Sequence, residues 1–471
     1  MSNLNLKDAW LSLAPDANEP QIEAMLMRPA ILPFLGFELN EIESQYLVGN
    51  GGAKVDLAAR KNYGDDIFCH TKANPSLLIE LKKRQLDLSF GSNDYKKTVS
   101  QLKGYLHPKS KHCHSAKWGI ITNAEYIQLF RRHGKVVYPY TKNIKLTADN
   151  IDEKIKLIKH YIDNQKRSLF VAIYNNKGGV GKTTTVINLA GILSLPQGKP
   201  DNSLGFDKKV LVVDFDPNQK DLTDLLDVKL GKLKLSEYLQ DHKNHDIQDV
   251  ISRYTLKTKS GKEYGFDVIP VDEELHQEQT QYTKYLTKSF LRRSLNPLKN
   301  NYDYILIDSP PGTNRFTEEA IAAADVILMP SKHNGIASFK NAATAMKTIF
   351  PMLGESRRQF DVDAEKFGIA SELSDPVPLP IFFNGEAITP TQKRQAQEAI
   401  TKIIKQAKKE EQIDLMRFFF PKYRPAHKNL EIFEMPSYAH IASAAFSNRP
   451  AVFTSKKARE YYRDLVREYF I

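Results

Sequence analysis

The sequence predicts an α/β protein in two parts: a smaller N-terminal α/β domain and a larger one built on a mostly parallel sheet flanked by helices. Three observations carry this. The chain has 471 residues, too many for one compact core. From Ser168 onward short apolar runs alternate with helical patterns, as parallel strands covered on both faces do. Before that point the strand-like runs form a separate block, set off by a charged amphipathic stretch. The boundaries drawn on this basis are residues 1–145, a helical linker over 146–167, and 168–471.

In the first block, between Glu19 and Tyr140, the runs AKVDLAAR, SLLIELKK, WGIITN and KVVYPY read as strands with helical segments between them. Asp149 to Lys166 follows as a helix with Ile151, Ile155, Ile158 and Ile162 on one stripe, a core face or a lever between domains. In the second block the strands are LFVAIY, KVLVVDFD, FDVIPV, YDYILID, DVILMP and PLPIFF. Gln197 to Lys209 and Gly354 to Asp375 read as loops or insertions.

Composition bounds the function classes. A 41% hydrophobic content supports packed cores and argues against wholesale disorder. Two cysteines exclude a disulfide framework and fit a reducing compartment. Met1 to Trp10 shows no secretory pattern, and no apolar run approaches the roughly 20 residues that cross a bilayer. The expectation is a soluble, cytoplasmic protein without membrane partners. A net charge of +11 points to polyanions, nucleic acid first.

LFVAIY runs directly into NNKGGVGKTTTVINLAGIL. Strand, glycine-rich turn and helix in this order form a phosphate-binding loop. Gly178, Gly179 and Gly181 permit close backbone approach, and the amides around Val180 with the following helix N-terminus make a positive cradle. Lys182 is placed to reach the β- and γ-phosphates of ATP, and Thr183 to ligate Mg²⁺, with Thr184 beside them. Asn176 stands where the strict pattern has glycine, and Lys177 is additional. KGGVGKTT, VLVVDFDP, YDYILIDSPPG, AADVILMP and the closing MPSYAHIASAAFSNRPAVFTSKKAREYYRDLVREYF together resemble the ParA/MinD family of deviant Walker ATPases, over roughly Ser168 to Ile471.

That resemblance implies a P-loop NTPase domain that dimerises around ATP. It implies that Lys177 crosses to the partner subunit's phosphates, that Asp216 orients the attacking water, and that Asp214 and Asp308 support Mg²⁺. Asn384, at the end of PLPIFF, is a candidate base contact or a plain loop residue. In the helical stretch Thr391 to Gln412, Arg394, Lys402, Lys405, Lys408 and Lys409 fall on one face at 100° per residue. Such a stripe suits DNA phosphates, with a solvated surface as the plain alternative. A nucleoid-associated protein with a ParB-like or defence-system partner follows from the resemblance. The final AREYYRDLVREYFI is amphipathic with mixed charges, which favours packing on the ATPase core over a membrane anchor.

In SLLIELKK, strand alternation places Glu80 and Lys82 on one face. Asp56, in AKVDLAAR, comes alongside through a turn. Two carboxylates hold Mg²⁺ through hard oxygens, and a neighbouring lysine positions water or stabilises developing charge. The order VDLAAR, LLIELKK, SQLKGYL, WGIITNAEYIQLFRR resembles the PD-(D/E)XK nucleases, in particular the N-terminal domain of type I restriction motor subunits, with Gln101 and Tyr105 matching a Gln-x-x-x-Tyr element. The resemblance implies a restriction-endonuclease-like α/β fold with Asp56, Glu80 and Lys82 in catalysis. Glu19 or Glu23 is the additional acid, a choice the sequence leaves open. Cys69, His70, His107, His112, Cys113 and His114 have no zinc-ligand spacing. Two functions follow: an ATP-gated DNA endonuclease of defence or mobile elements, and a partition or positioning ATPase whose N-terminal domain is a non-cleaving adaptor.

Overall fold

The computed structural model describes residues 5–49, 51–198, 204–257, 261–287, 289–333, 335–385, 388–435 and 448–471. The chain divides into two units, one of Met1–Gln165, Val362–Ser374 and Phe470–Ile471, the other of Lys166–Asp361 and Asp375–Tyr469.

The first unit holds strands β1 (Ile42–Leu47), β2 (Lys54–Ala59), β3 (Leu77–Leu81), β4 (Trp118–Thr122), β5 (Tyr126–His133), β6 (Val136–Pro139) and β7 (Ile144–Lys145). They form one sheet in the order β1-β2-β3-β4-β5-β6, with β7 on β5. Only β3 and β4 pair in parallel, and the helix Asn93–Tyr105 between them supplies the crossover such a pair needs. Leu102 and Leu106 pack so closely over β4 that a β-carbon at Gly119 would lie 2.7 Å from Leu106 and 3.0 Å from Leu102. β1 and β5 were not expected as separate strands. Gln45 breaks the regularity of β1: it has φ +50°, and the pairing with β2 skips it, running from Ser44–Leu57 to Tyr46–Val55. The helix Ile151–Asp163 buries Ile151, Ile155 and Ile158 within this unit while Ile162 is half-exposed, so its stripe is a core face. Its Lys154 pairs with Glu372 at 3.1 Å.

The second unit contains β8 (Leu169–Ile173), β9 (Val210–Asp214), β10 (Ser252–Lys257), β11 (Glu263–Ile269), β12 (Tyr304–Asp308), β13 (Val326–Leu328), β14 (Pro330–Ser331), β15 (Val377–Pro378), β16 (Phe382–Asn384) and β17 (Phe433–Met435). The main sheet runs β10-β11-β9-β12-β8-β13-β15, parallel throughout except for the β10–β11 hairpin. Every residue of β8, β9 and β12 is buried, as a strand covered on both faces requires. PLPIFF is split between two sheets: its Pro378 belongs to β15 at the edge of the main sheet, and the rest of the run leaves it. Its β16 lies between β14 and β17 in a small parallel sheet of its own.

The stretch from Gly354 to Asp375 is not simply a loop, since the helices Phe350–Gln359 and Val362–Glu365 run through it. Gly354 sits there because a β-carbon would fall 2.0 Å from the Asp375 carboxylate. Most of the closing MPSYAHIASAAFSN segment, residues 436–447, and part of the Gln197–Lys209 stretch lie outside the described residues. The C-terminal helix Lys456–Tyr469 buries Ala458, Tyr462, Leu465, Val466 and Tyr469, and it packs against the helix Lys182–Ser194.

Candidate functional site

Parallel register brings the chemistry of the second unit to one edge. Asp308 pairs with Asp214 on one side and with Ile173 on the other. Two carboxylates and the glycine turn that follows β8 therefore meet at the carboxyl ends of three adjacent strands, where such sheets bind ligands. Gly179 and Gly181 adopt φ +70° and +84°, which side chains resist. Gly178 and Gly179 are exposed while Val180 is buried, so the turn shows backbone outward and anchors through one apolar side chain. The helix Lys182–Ser194 opens directly after it.

Lys182 is buried. Burial pushes its pKa down, against the opposing charges of Asp308 and Asp216. Asp308 is buried with neither carboxylate oxygen in a regular hydrogen bond, facing the Thr183 hydroxyl. Burial, then the charge of Asp214, holds its pKa well above the usual carboxylate range. Asp214 is differently placed. Its oxygens accept from Thr223 N at 3.0 Å, Thr223 Oγ1 at 2.6 Å and Asp216 N at 3.3 Å, so it fastens the turn that carries Asp216. Its pKa is pushed up to about 7 by burial. Asp216 Oδ1 accepts from Asn218 N and Nδ2, both at 3.2 Å. Burial raises its pKa, with Asn218 and Lys182 opposing.

Two asparagines hold the loop. Asn175 is buried, donates to Pro330 O and Ser338 Oγ at 2.9 Å, and accepts from Lys177 N at 3.0 Å. Only its place next to the strand would have flagged it. Asn384 is no loop residue: it closes β16, is 4% exposed, and donates from Nδ2 to Val180 O at 2.9 Å. The half-exposed Lys177 reaches Gly335, where a β-carbon would lie 3.0 Å from its Nζ. Thr184 is half-buried, and its carbonyl accepts from Asn188 Nδ2 at 2.9 Å and Tyr462 Oη at 3.4 Å. On the helix Pro390–Glu411, Arg394, Lys402, Lys405, Lys408 and Lys409 are exposed, while Ala396, Ile400, Ile404 and Ala407 are buried on the opposite side.

In the first unit Asp56 Oδ2 accepts from Leu81 N at 2.7 Å, and Oδ1 accepts from Gln45 Nε2 at 3.2 Å. Glu80 is 2% exposed. One of its oxygens accepts from Lys82 Nζ at 2.5 Å, and the other is buried without a partner. Burial pushes its pKa up to about 7. Burial is the largest influence on Lys82 and works against its charge, but the Glu80 hydrogen bond and the charges of Glu80, Asp56 and Glu19 together outweigh it and the pKa rises. Gln101 Nε2 donates to Tyr105 Oη at 2.7 Å, and Tyr105 feels the charges of Glu80, Lys82 and Asp56. Glu23 is engaged by Arg28 Nε at 2.9 Å and by Ser44, and its charge also acts on Asp56; Glu19 acts electrostatically on Glu80 and Lys82. Among the described residues, no group of three or more His, Cys, Asp or Glu side chains is arranged to hold a metal ion, and no helix is long and apolar enough to cross a membrane.

Fold and site define the second unit as a P-loop domain. Residues 168–355 match the family model of an AAA domain. The sporulation initiation inhibitor protein Soj of Bacillus subtilis is 33% identical over 161 residues, 34% of this chain and 56% of that protein. The chromosome partitioning protein ParA of Myxococcus xanthus is also 33% identical over 161 residues, 34% of this chain and 50% of that protein. The chain thus spans about half the length of the curated relatives it matches. Among solved structures, the ATP complex of a Cyanothece McdA variant aligns with 64% of this chain and 96% of its own, at 20% identity and a TM-score of 0.41. The second unit is thus similar to an AAA domain over residues 168–355, and the chain is similar to Soj and ParA proteins over about a third of its length.

Proposed function

We propose that the chain is an ATP-dependent, dimerising ATPase that acts on DNA, fused to a Mg²⁺-dependent endonuclease-like domain. The observation that carries the first half is the convergence of Lys182, Thr183, Asp216 and Asp308 at the end of the parallel sheet. Phosphoryl transfer needs positioning and charge neutralisation rather than covalent chemistry, and these residues supply both. The Asp308 oxygens, buried without regular hydrogen bonds beside Thr183, suit Mg²⁺, which takes few protein ligands and fills its octahedron with phosphate and water. When bound, the ion neutralises charge on the β- and γ-phosphates. Lys177 supplies its ammonium to the nucleotide of a second subunit, which links ATP binding to dimerisation. Asp216 orients the attacking water. The exposed basic stripe on Pro390–Glu411 takes DNA phosphates, and the partitioning role named for the Myxococcus relative supports DNA as the surface. Lys182→Ala is expected to abolish binding of a fluorescent ATP analogue. Asp216→Ala is expected to bind it normally and lose turnover, and normal hydrolysis by Asp216→Ala would refute that residue's role.

The second half rests on Asp56, Glu80 and Lys82. Asp56 is fastened to the β3 backbone and Glu80 is paired with Lys82, so two carboxylates and a lysine that could serve Mg²⁺-assisted hydrolysis lie on adjacent strands or directly after them. The left-handed Gln45 costs about 1–2 kcal/mol, and its amide meets Asp56. Strain of this kind, at a strand irregularity beside a candidate site, fits a functional demand. Glu19, rather than the engaged Glu23, is the additional acid. Wild type with Mg²⁺ is expected to nick supercoiled plasmid, and Glu80→Ala and Lys82→Ala to lose this. The second reading, favoured by the partitioning relative, is a positioning ATPase whose N-terminal unit is a non-cleaving adaptor. Intact plasmid in every nucleotide state, alongside normal ATP turnover, would select it.

A further inference from the structure

We propose that the segment from Val271 to Gln277 is a latch on the turn that carries Asp216, with His276 as its positioning residue. The proposal rests on the ATPase reading above and deepens it.

Asp216 takes its aim from the turn that follows it, because Asn218 holds its carboxylate through both a backbone and a side-chain nitrogen. Pro217, between them, has no N–H, so its carbonyl is the one main-chain group that this residue offers a neighbour. His276 Nδ1 lies 2.7 Å from that carbonyl oxygen. A carbonyl only accepts, so Nδ1 carries the hydrogen and the ring's tautomer is set. Two more ties join the same segments. Glu273 pairs with Lys220 at 3.2 Å. Thr223 Oγ1 donates to Asp214 at 2.6 Å and accepts from Val271 N at 3.0 Å. Lys220 itself has φ +52°, a conformation that a non-glycine residue keeps only when its surroundings hold it there. Three contacts thus bind the 216–224 stretch to the 271–276 stretch. Only the histidine acts at the residue next to Asp216. No motif marks it, since it lies 60 positions downstream of Asp216.

The role is positional: His276 holds no substrate, and its removal should misplace Asp216 without disturbing the phosphate cradle. Small displacements of a catalytic group reduce turnover steeply. His276→Ala is therefore expected to lower kcat roughly tenfold while leaving KM for ATP within about twofold. His276→Asn, whose side-chain N–H can reach the same carbonyl, is expected to recover kcat to within about threefold of wild type. The companion measurement is hydrogen exchange over residues 215–224 in nucleotide-free full-length protein. Exchange should quicken in His276→Ala and return towards wild type in His276→Asn.

Unchanged exchange in His276→Ala would overturn the latch whatever the ATPase assay shows. Quickened exchange with unchanged kcat would overturn the positioning role. If wild type shows no turnover that Asp216→Ala removes, the ATPase reading fails instead, and the exchange data alone decide the latch.

Discussion

Buried carboxylates show how position in the fold decides what a single residue does. Asp214 and Asp308 end neighbouring strands and both have raised pKa values. Asp214 is surrounded by donors from its own turn, while Asp308 is surrounded by charge. Their motifs were legible in the sequence, but this division of labour was not, because it depends on Thr223 folding back. Glu319, in the helix Arg315–Ala323, is a buried carboxylate away from that edge. It accepts from Leu291 N at 3.0 Å, and burial pushes its pKa up to about 7 from 4.5. Between these values the folded chain binds more protons than the unfolded chain, so stability falls as pH rises from about 4.5 to about 7. Glu319→Gln keeps an acceptor and removes the titration. It is expected to flatten the pH dependence of urea midpoints across that window, with a gain near pH 7 of up to about 3 kcal/mol. An unaltered slope would refute this.

At the scale of elements, the glycine turn is held by strands far away in sequence. Val180 is almost fully buried, and its carbonyl is satisfied by Asn384 at the end of β16. Asn384→Ala is expected to cost about 1–3 kcal/mol, the range for a buried group left unpaired, and to weaken ATP-analogue binding. Stability and affinity equal to wild type would show that the brace is dispensable. The helix Pro390–Glu411 begins with a capping box at Thr389 and Gln392 and divides cleanly into an apolar face and a basic face. Its helical periodicity was readable from sequence because 3.6-residue spacing needs no knowledge of the partner surface. If the basic face meets DNA phosphates, Lys402→Gln/Lys405→Gln should reduce the slope of log affinity against log salt by about 2. An unchanged slope would assign the stripe to solvent.

At the scale of the molecule, the main sheet of the second unit is tied at its other end by charge. Asp325 is fully buried, accepts from Lys166 Nζ at 2.6 and 2.7 Å, and lies 3.5 Å from Arg357. It joins the start of β8 to the start of β13 and to the helix Phe350–Gln359. Asp325→Ala leaves two buried cations without that carboxylate and is expected to cost about 3–5 kcal/mol, measured by denaturant unfolding. The proposed switch acts at the same scale. Asp216→Ala with ATP and Mg²⁺ should sediment as a persistent dimer while Lys182→Ala stays monomeric, and equal sedimentation of the two would refute ATP-linked association.

Motif order and hydrophobic period in the sequence were enough to locate the phosphate loop, the strands that carry Asp214 and Asp308, and the exposed basic helix. Those features depend on neighbours along the chain, through glycine conformation, strand burial and helical repeat. Tertiary structure alone decided that Asn384 braces Val180, that His276 grips Pro217, that Gln45 is turned toward Asp56, and that residues 362–374 complete the first unit. Each of these joins positions distant in sequence through one polar contact or one packed segment. No local periodicity encodes such a pairing, because a hydrogen bond requires only that two groups meet, wherever they lie in the chain.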